Sequence, residues 1–278
     1  MPELPEVETI VRDLRPRLTG RKLTNPRLHR PDVLRKVSRQ RLLRTLDGNH
    51  VSAVDRRAKH LVVRLASGHR LVIQPRMTGS LVVYETRLTA EQRRYAVLEA
   101  GLGGGGRVVY RDVRRLGTIW LLDERGWQSY TLRIGPEPLA TDFDADRFRH
   151  QMGGTRQAIK KALMDQRRLA GVGNIYANEA LFRAQIDPSR PANRLARAEL
   201  DRLYGHVRDV LEEAIAAQGT TVRDYRTGTG QSGSYQDLLQ VYGRGGEPCR
   251  RCGARLVTTH EIDGRATTFC WHCQGMPR

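Results

Sequence analysis

Apolar residues near the amino end recur with a helical period. Val7, Ile10, Val11, Leu14 and Leu18 share one face, and Gly20 closes the run. Pro5 fits the first turn of that helix, where a missing N–H breaks no intrahelical bond. From about residue 23 to residue 132 the period shortens to the strand type. His60–Leu65, Arg70–Ile73, Ser80–Tyr84 and Arg107–Tyr110 are short β-type runs, with Asp47-Gly48 and Ser67-Gly68 as turn signals between them. This spacing predicts an antiparallel sandwich or barrel. Gly101–Gly106 lacks the Lys-Ser/Thr pair of a phosphate-binding loop and reads as a flexible hairpin turn.

Beyond this region the helical period returns. Ile134–Leu139, with two prolines and a glycine, breaks structure and reads as an interdomain linker. Helices are predicted at about 144–151, 156–165, 174–184 and 194–217, the last with Leu200, Leu203, Tyr204, Val207, Leu211 and Ala214 on one face. Gly171-Val172-Gly173-Asn174 stands just ahead of the third of these, where free backbone N–H groups suit an anion such as a DNA phosphate. The same residues also make a plain glycine turn. Residues 226–234, rich in glycine and serine, form either a mobile functional loop or a linker. No internal repeat is evident.

Charge narrows the class of partner. The 278-residue chain carries 48 Lys plus Arg against 30 Asp plus Glu, a formal +18, and arginine supplies almost all of the excess. Arginine suits bidentate contacts with phosphates, so nucleic acid is the first expected partner and an anionic membrane surface the second. No run of 18 apolar residues and no signal segment is found, so a cytosolic protein is expected.

All four cysteines fall in the last 30 residues, as Cys249-x2-Cys252 and Cys270-x2-Cys273 separated by 17 residues. Paired thiolates at this spacing form two knuckles that close a tetrahedron around zinc, and two disulfides are disfavoured in a reducing compartment. Arg255–His260 and Ala266–Phe269 read as strands, with Asp263-Gly264 as a two-residue hairpin turn and Arg265 projecting from its tip. The expected cofactor is therefore one structural zinc ion in a zinc-ribbon-like hairpin.

The first residues carry candidate chemistry of another kind. Removal of Met1 leaves Pro2 with a free secondary amine. An α-amino group titrates near ~8, against ~10.4 for lysine, so much more of it is the neutral nucleophile at pH 7. Glu3 beside it offers a carboxyl for proton transfer. On this dipeptide alone, an ordinary processed N-terminus fits as well.

Taken together, the chain resembles the formamidopyrimidine-DNA glycosylase and endonuclease VIII family nearly end to end. The resemblance rests on Pro2–Thr9, Arg57–Leu61, Met77–Leu81, Gly171–Ala177, Val241–Cys249 and the cysteine pairs. It implies an α+β protein of three parts, with DNA bound in the cleft between domains. These are an N-terminal antiparallel β-sandwich with flanking helices (1–132) and, after a linker (133–143), a helix–two-turn–helix domain (144–235) and a zinc finger (236–278). It also implies that Pro2 attacks C1′ of the damaged nucleotide and that Glu3 protonates the sugar ring oxygen. Lys59 and Arg265 are then linked to the later eliminations, Asn174 and Tyr242 to backbone phosphates, and Met77, Arg114 and Leu116 to the void left by a flipped nucleotide. The implied partner is double-stranded DNA with oxidised bases or abasic sites, met by a monomer in the cytoplasm at the nucleoid.

The sequence departs from the family pattern at several positions. Leu116 replaces a usual phenylalanine, Val113 a proline, Gln74 a histidine and Arg76 a glycine. Gly219–Ser234, with Thr220, Thr221 and Tyr225, resembles the lesion-capping loop of members that act on oxidised purines such as 8-oxoguanine. Oxidised pyrimidines remain the alternative substrate. A non-catalytic zinc-ribbon binder would explain the charge and cysteines, but gives no reason for Pro2-Glu3.

Overall fold

A computed structural model describes residues 2–220, 228 and 233–275. They divide into two compact units, residues up to 132 with 217–236, and residues 133–216 with those from 237 onward. The α+β architecture expected from the sequence is present.

In the first unit, helix α1 (Leu4–Leu18) buries Val7, Ile10, Val11, Leu14 and Leu18, the stripe read from the sequence. Strand β1 (Leu23–Leu28), helix α2 (Arg39–Leu46) and strands β2 (Val51–Arg57), β3 (His60–Leu65), β4 (Arg70–Gln74) and β5 (Gly79–Tyr84) follow. Helix α3 (Ala90–Arg94), strands β6 (Ala96–Leu102), β7 (Arg107–Asp112) and β8 (Thr118–Leu122) and helix α4 (Glu124–Thr131) complete the unit. The strands form two antiparallel four-stranded sheets, in the orders β1-β6-β7-β5 and β2-β3-β4-β8. One apolar core joins both sheets and α1 through Ile10, Leu14, Leu61, Ile73, Leu81, Leu98 and Ile119. The glycine run is the β6–β7 hairpin turn, as its composition predicts.

Three short helices interrupt what the sequence presents as continuous β structure. Helix α2 is set by Ser38, whose hydroxyl accepts from the Arg41 N–H, and it buries only Leu42 and Leu46. Its three leucines fall within five residues of a polar, arginine-rich segment, too short a stretch for a period to declare itself. Asp47-Gly48 accordingly ends a helix instead of joining two strands.

The second unit holds α5 (Ala145–Gly153), α6 (Ile159–Met164), α7 (Asn174–Arg183), α8 (Arg197–Ala216), strands β9 (Val257–Thr259) and β10 (Thr267–Phe269) and the short α9 (Trp271–Gln274). Helix α7 is buried from Ile175 to Phe182, and α8 packs against it through the face of Leu203, Val207 and Leu211. The linker predicted at 134–139 is tied down: the Gly135 N–H donates to the Gln166 carbonyl (2.8 Å), and the Pro136 carbonyl accepts from Ala170 N–H (2.9 Å). Among the described residues no helix is long and apolar enough to cross a membrane.

Candidate nucleic-acid interface

Pro2 and Glu3 are both buried, Glu3 to 2 % exposure, at the N-terminus of α1. Glu3 caps the helix reciprocally: its carboxylate accepts from the Glu6 N–H while its own N–H donates to Glu6 Oε2 (2.8 Å). The other Glu6 oxygen, Oε1, accepts from the Thr220 N–H (2.8 Å). One buried carboxylate thus holds both the second residue after the initiator and the start of the loop read from sequence as a lesion cap. Gly228 lies against α1 at Ile10 and Asp13, where no side chain would fit. Thr221 and Tyr225 lie outside the described residues.

Lys59 sits on the β2–β3 hairpin, at 7 % exposure. Arg56 braces that turn: it meets Glu8 of α1 at 2.9 Å and donates to the Ala58 carbonyl at 3.2 Å. Burial raises the Glu8 carboxyl, but Arg56 and Arg12 outweigh it and hold the group below its ordinary range.

Met77 and Arg114 lie on neighbouring turns, β4–β5 and β7–β8, and touch: Arg114 Nη1 is 3.8 Å from Met77 Sδ. Met77 is 43 % and Leu116 47 % exposed, which excludes ordinary core packing for either side chain. Their backbone is fixed from below. Asp112, 1 % exposed, accepts from the Thr78 hydroxyl, the Tyr110 hydroxyl, the Arg115 N–H (3.0 Å) and the Gly117 N–H (2.8 Å), and the Thr78 oxygen accepts the Arg114 N–H (3.0 Å). A methyl group at Gly79 or Gly117 would collide with the Tyr110 hydroxyl that fits between them. Burial and the adjacent Asp112 charge push the Tyr110 phenol far up, so it stays a neutral donor.

Three turns here hold a non-glycine residue in the left-handed region: Ala58 (φ 52°), Arg76 (φ 56°) and Arg115 (φ 52°). Each adjoins one of Lys59, Met77 and Arg114. Such a conformation costs about 1–2 kcal/mol for an L-residue and persists where the surroundings impose it.

In the second unit Asn174, at the start of α7, donates through Nδ2 to the Ala266 carbonyl (2.9 Å), and Asn178 accepts the Thr268 N–H (3.0 Å). Both asparagines grip the hairpin that carries Arg265. The anion site expected before α7 is partly taken, because the Gly171 N–H already donates to Gln166 (2.9 Å). The hairpin turn also differs from expectation. Strands β9 and β10 leave a seven-residue connection, 260–266, in place of a two-residue turn at Asp263-Gly264. The reason is Asp263, which turns inward: its Oδ1 accepts from the Arg265 N–H (3.1 Å) and meets Lys160 Nζ (3.3 Å). Lys160, fully buried in α6, also donates to Thr267 Oγ1 (2.7 Å), and Arg265 itself is exposed. Tyr242 is placed by Glu179, whose carboxylate accepts three consecutive N–H groups, of Gln240 (2.8 Å), Val241 (3.0 Å) and Tyr242 (2.8 Å). Burial pushes the Glu179 carboxyl up despite those three donors.

The four cysteines converge, with their sulfurs within 4.8 Å of one another and no disulfide among them. Cys249 and Cys273 are 4.0 Å apart and Cys252 and Cys270 3.5 Å. A tetrahedral zinc site with bonds of ~2.3 Å has sulfur–sulfur edges of about 3.8 Å, so the set fits such an ion. Burial raises the Cys249 thiol, yet N–H groups of Arg251 and Cys252 and the adjacent thiols bring it down to about 7. Burial and the neighbouring sulfurs push Cys273 up. Four crowded thiols of this kind could hold a metal ion, whose charge would relieve the crowding.

Two family models cover most of the chain, the formamidopyrimidine-DNA glycosylase N-terminal domain over residues 1–119 and its H2TH domain over residues 134–226. The chain belongs to the formamidopyrimidine-DNA glycosylase family. It is 40 % identical over 276 residues to the formamidopyrimidine-DNA glycosylase of Desulfitobacterium hafniense, covering 99 % of this chain and 100 % of that one. It is 44 % identical over 258 residues to that of Moorella thermoacetica, covering 92 % and 93 %. A solved complex of the Lactococcus lactis Fpg with DNA containing an abasic site superposes with a TM-score of 0.91 at 33 % identity, covering 99 % of this chain and 100 % of that one. A structure of MutM with DNA containing carbocyclic 8-oxo-G gives 0.90 at 34 %, again covering 99 % and 100 %.

Sequence reasoning toward this glycosylase family missed Glu6, Asp112, Lys160 and Glu179. A signal existed for Glu179 alone, the one charge within the apolar helical run Ile175–Phe182; Lys160 stands beside Lys161 and is not singled out in that way. A lone charge there predicts burial with a partner, but does not say which.

Proposed function

We propose that this protein is a bifunctional DNA glycosylase and abasic-site lyase of base-excision repair, acting on oxidised purines such as 8-oxoguanine and formamidopyrimidines. The observation that carries the reading is the seat of Pro2 and Glu3: an amine and a carboxyl side by side, out of bulk water, at the positive end of a helix. That field and the burial both favour a neutral amine.

The chemistry follows in balanced steps. With Met1 removed, the Pro2 nitrogen bonds to C1′ as the bond from C1′ to the base breaks, and the proton released from that nitrogen goes to the departing base. Glu3 protonates the ring oxygen as the sugar opens to an iminium. The iminium acidifies C2′, so loss of that proton expels the 3′ phosphate. A second elimination expels the 5′ phosphate, and hydrolysis frees the amine. Lys59 and Arg265 supply cationic charge to the departing phosphates. Asn174 and Tyr242 hold backbone phosphates. Met77, Leu116 and Arg114 fill the void and meet the orphaned base, offsetting the few kcal/mol, roughly, of unstacking. The segment holding Thr220, Thr221 and Tyr225 covers the extruded lesion.

A zinc ion on Cys249, Cys252, Cys270 and Cys273 shapes the Arg265 hairpin. The reading further assigns a cytoplasmic, nucleoid-associated monomer built of the domains 1–132, 144–235 and 236–278, with a linker at 133–143.

The decisive experiment is borohydride reduction during incubation with an 8-oxoguanine:cytosine duplex. A covalent protein–DNA adduct is expected, and its loss on Pro2→Gly. No adduct on purine or pyrimidine lesions, or Met1 present on active protein, overturns the mechanism. Trapping on pyrimidine lesions alone would reassign the substrate.

A further inference from the structure

Arg76 stands on the β4–β5 turn directly before Met77, and both are exposed while their neighbours Pro75 and Thr78 are buried. Its backbone is left-handed (φ 56°), a conformation that glycine or asparagine adopts at lower cost. Among the described residues its guanidinium forms no hydrogen bond or ion pair. Asp112, the carboxylate beneath these turns, is fully engaged by hydroxyl and N–H donors. The charge lies close enough to act on Tyr130, whose ring packs against Trp120 and His60. A cation held on strained backbone, without a counter-charge among the described residues and next to an exposed apolar side chain, is set for a partner from outside the chain. The planar fork of arginine matches a phosphate bidentately.

We propose that Arg76 clamps a DNA backbone phosphate beside the nucleotide that Met77 displaces, fixing the wedge as it enters. The inference rests on the proposed function. Gln74, the last residue of β4, and Thr78, the other polar residue of the turn, are both neutral and cannot supply the charge.

The test compares wild type with Arg76→Asn and Arg76→Lys on one 8-oxoguanine duplex, by anisotropy titration at salt from about 50 to 200 mM. Arg76→Asn is expected to weaken binding about tenfold and to lower the slope of log K against log salt by about one, alike at every flanking sequence. Arg76→Lys should keep most of the slope. The melting temperature of Arg76→Asn should stay level or rise by roughly 2–4 °C as strain is relieved, which separates lost contact from lost fold. A wild-type affinity and slope in Arg76→Asn, while wild type still traps the duplex, overturns the clamp alone. A weakening confined to one flanking sequence overturns it too, since that marks a base contact. A wild type that neither binds nor traps lesion DNA removes the proposed function, and the clamp with it.

Discussion

In each unit an exposed arginine, Arg114 in the first and Arg265 in the second, stands on a loop tip held by an aspartate, but the backing differs. Arg114 rides on the β7–β8 turn, where Asp112 collects neutral donors and the turn springs from a two-sheet apolar core. Arg265 rides on the 260–266 connection, where Asp263 is answered by the buried ammonium of Lys160 and the strands below are three residues long. The first tip is positioned by packing. The second borrows its order from two asparagines, one lysine and a set of four thiols. Similar geometry can thus rest on a dry core or on polar ties, and the two should fail under different insults.

Metal removal should separate them most sharply. Structural zinc contributes about 10–16 kcal/mol in small modules at neutral pH. Chelation, or Cys252→Ala, should therefore abolish DNA binding while the first unit still melts cooperatively, as read by anisotropy and calorimetry. Unchanged binding by metal-free protein would erase the contrast. Asp112→Ala strikes the other side. It strands four buried donors and should destabilise the first unit by about 3–4 kcal/mol, measured by urea unfolding. A loss under ~1 kcal/mol would mean the turn holds itself.

Lys160→Met comes next. It leaves Asp263 without its ammonium and should cost about 2–3 kcal/mol. DNA affinity should fall while the thiols still bind one equivalent of metal; an unaltered affinity would show that Lys160 does not set the tip.

The smallest effect is the response to acid. Burial raises Glu8 and Asp165, yet Arg56 and Arg167 beside them hold both carboxyls low; hydrogen bonds from Arg190 and Arg183 lower Glu199 and Glu213 against their burial. A carboxyl with a lowered folded pKa binds fewer protons in the native state. Its stabilisation is present above its ordinary value, 4.5 for Glu and 3.8 for Asp, and is lost as pH falls through the folded one. Three of these four groups lie in the second unit, which should melt first on acidification. Glu179, raised by burial, acts in the opposite sense and narrows the gap. Circular dichroism with tryptophan fluorescence can follow the order, since Trp120 and Trp127 report on the first unit.

The parts legible in the sequence were those written in short spacings. The cysteine pairs, the α1 stripe and the runs at 60–65, 70–73, 80–84 and 107–110 depend on neighbours only. Pro2 is read as more than a processed terminus only through the order of motifs, and its role belongs to the proposed function. What stayed hidden was written across long separations. Lys160 meets Asp263 from 103 positions away and Glu179 meets Val241 from 62, and no local pattern names such partners. The same distance explains the misread hairpin: Asp263-Gly264 has the composition of a tight turn, but a lysine on another element recruits its carboxylate.

Glu6 bonds to Glu3 on one side and, 214 positions along the chain, to Thr220 on the other. The residues first to leave the ribosome therefore complete their seat only when most of the chain has followed. Until then Glu6 lacks its Thr220 donor, so the support beneath Glu3 is among the last local arrangements of the first unit to be finished.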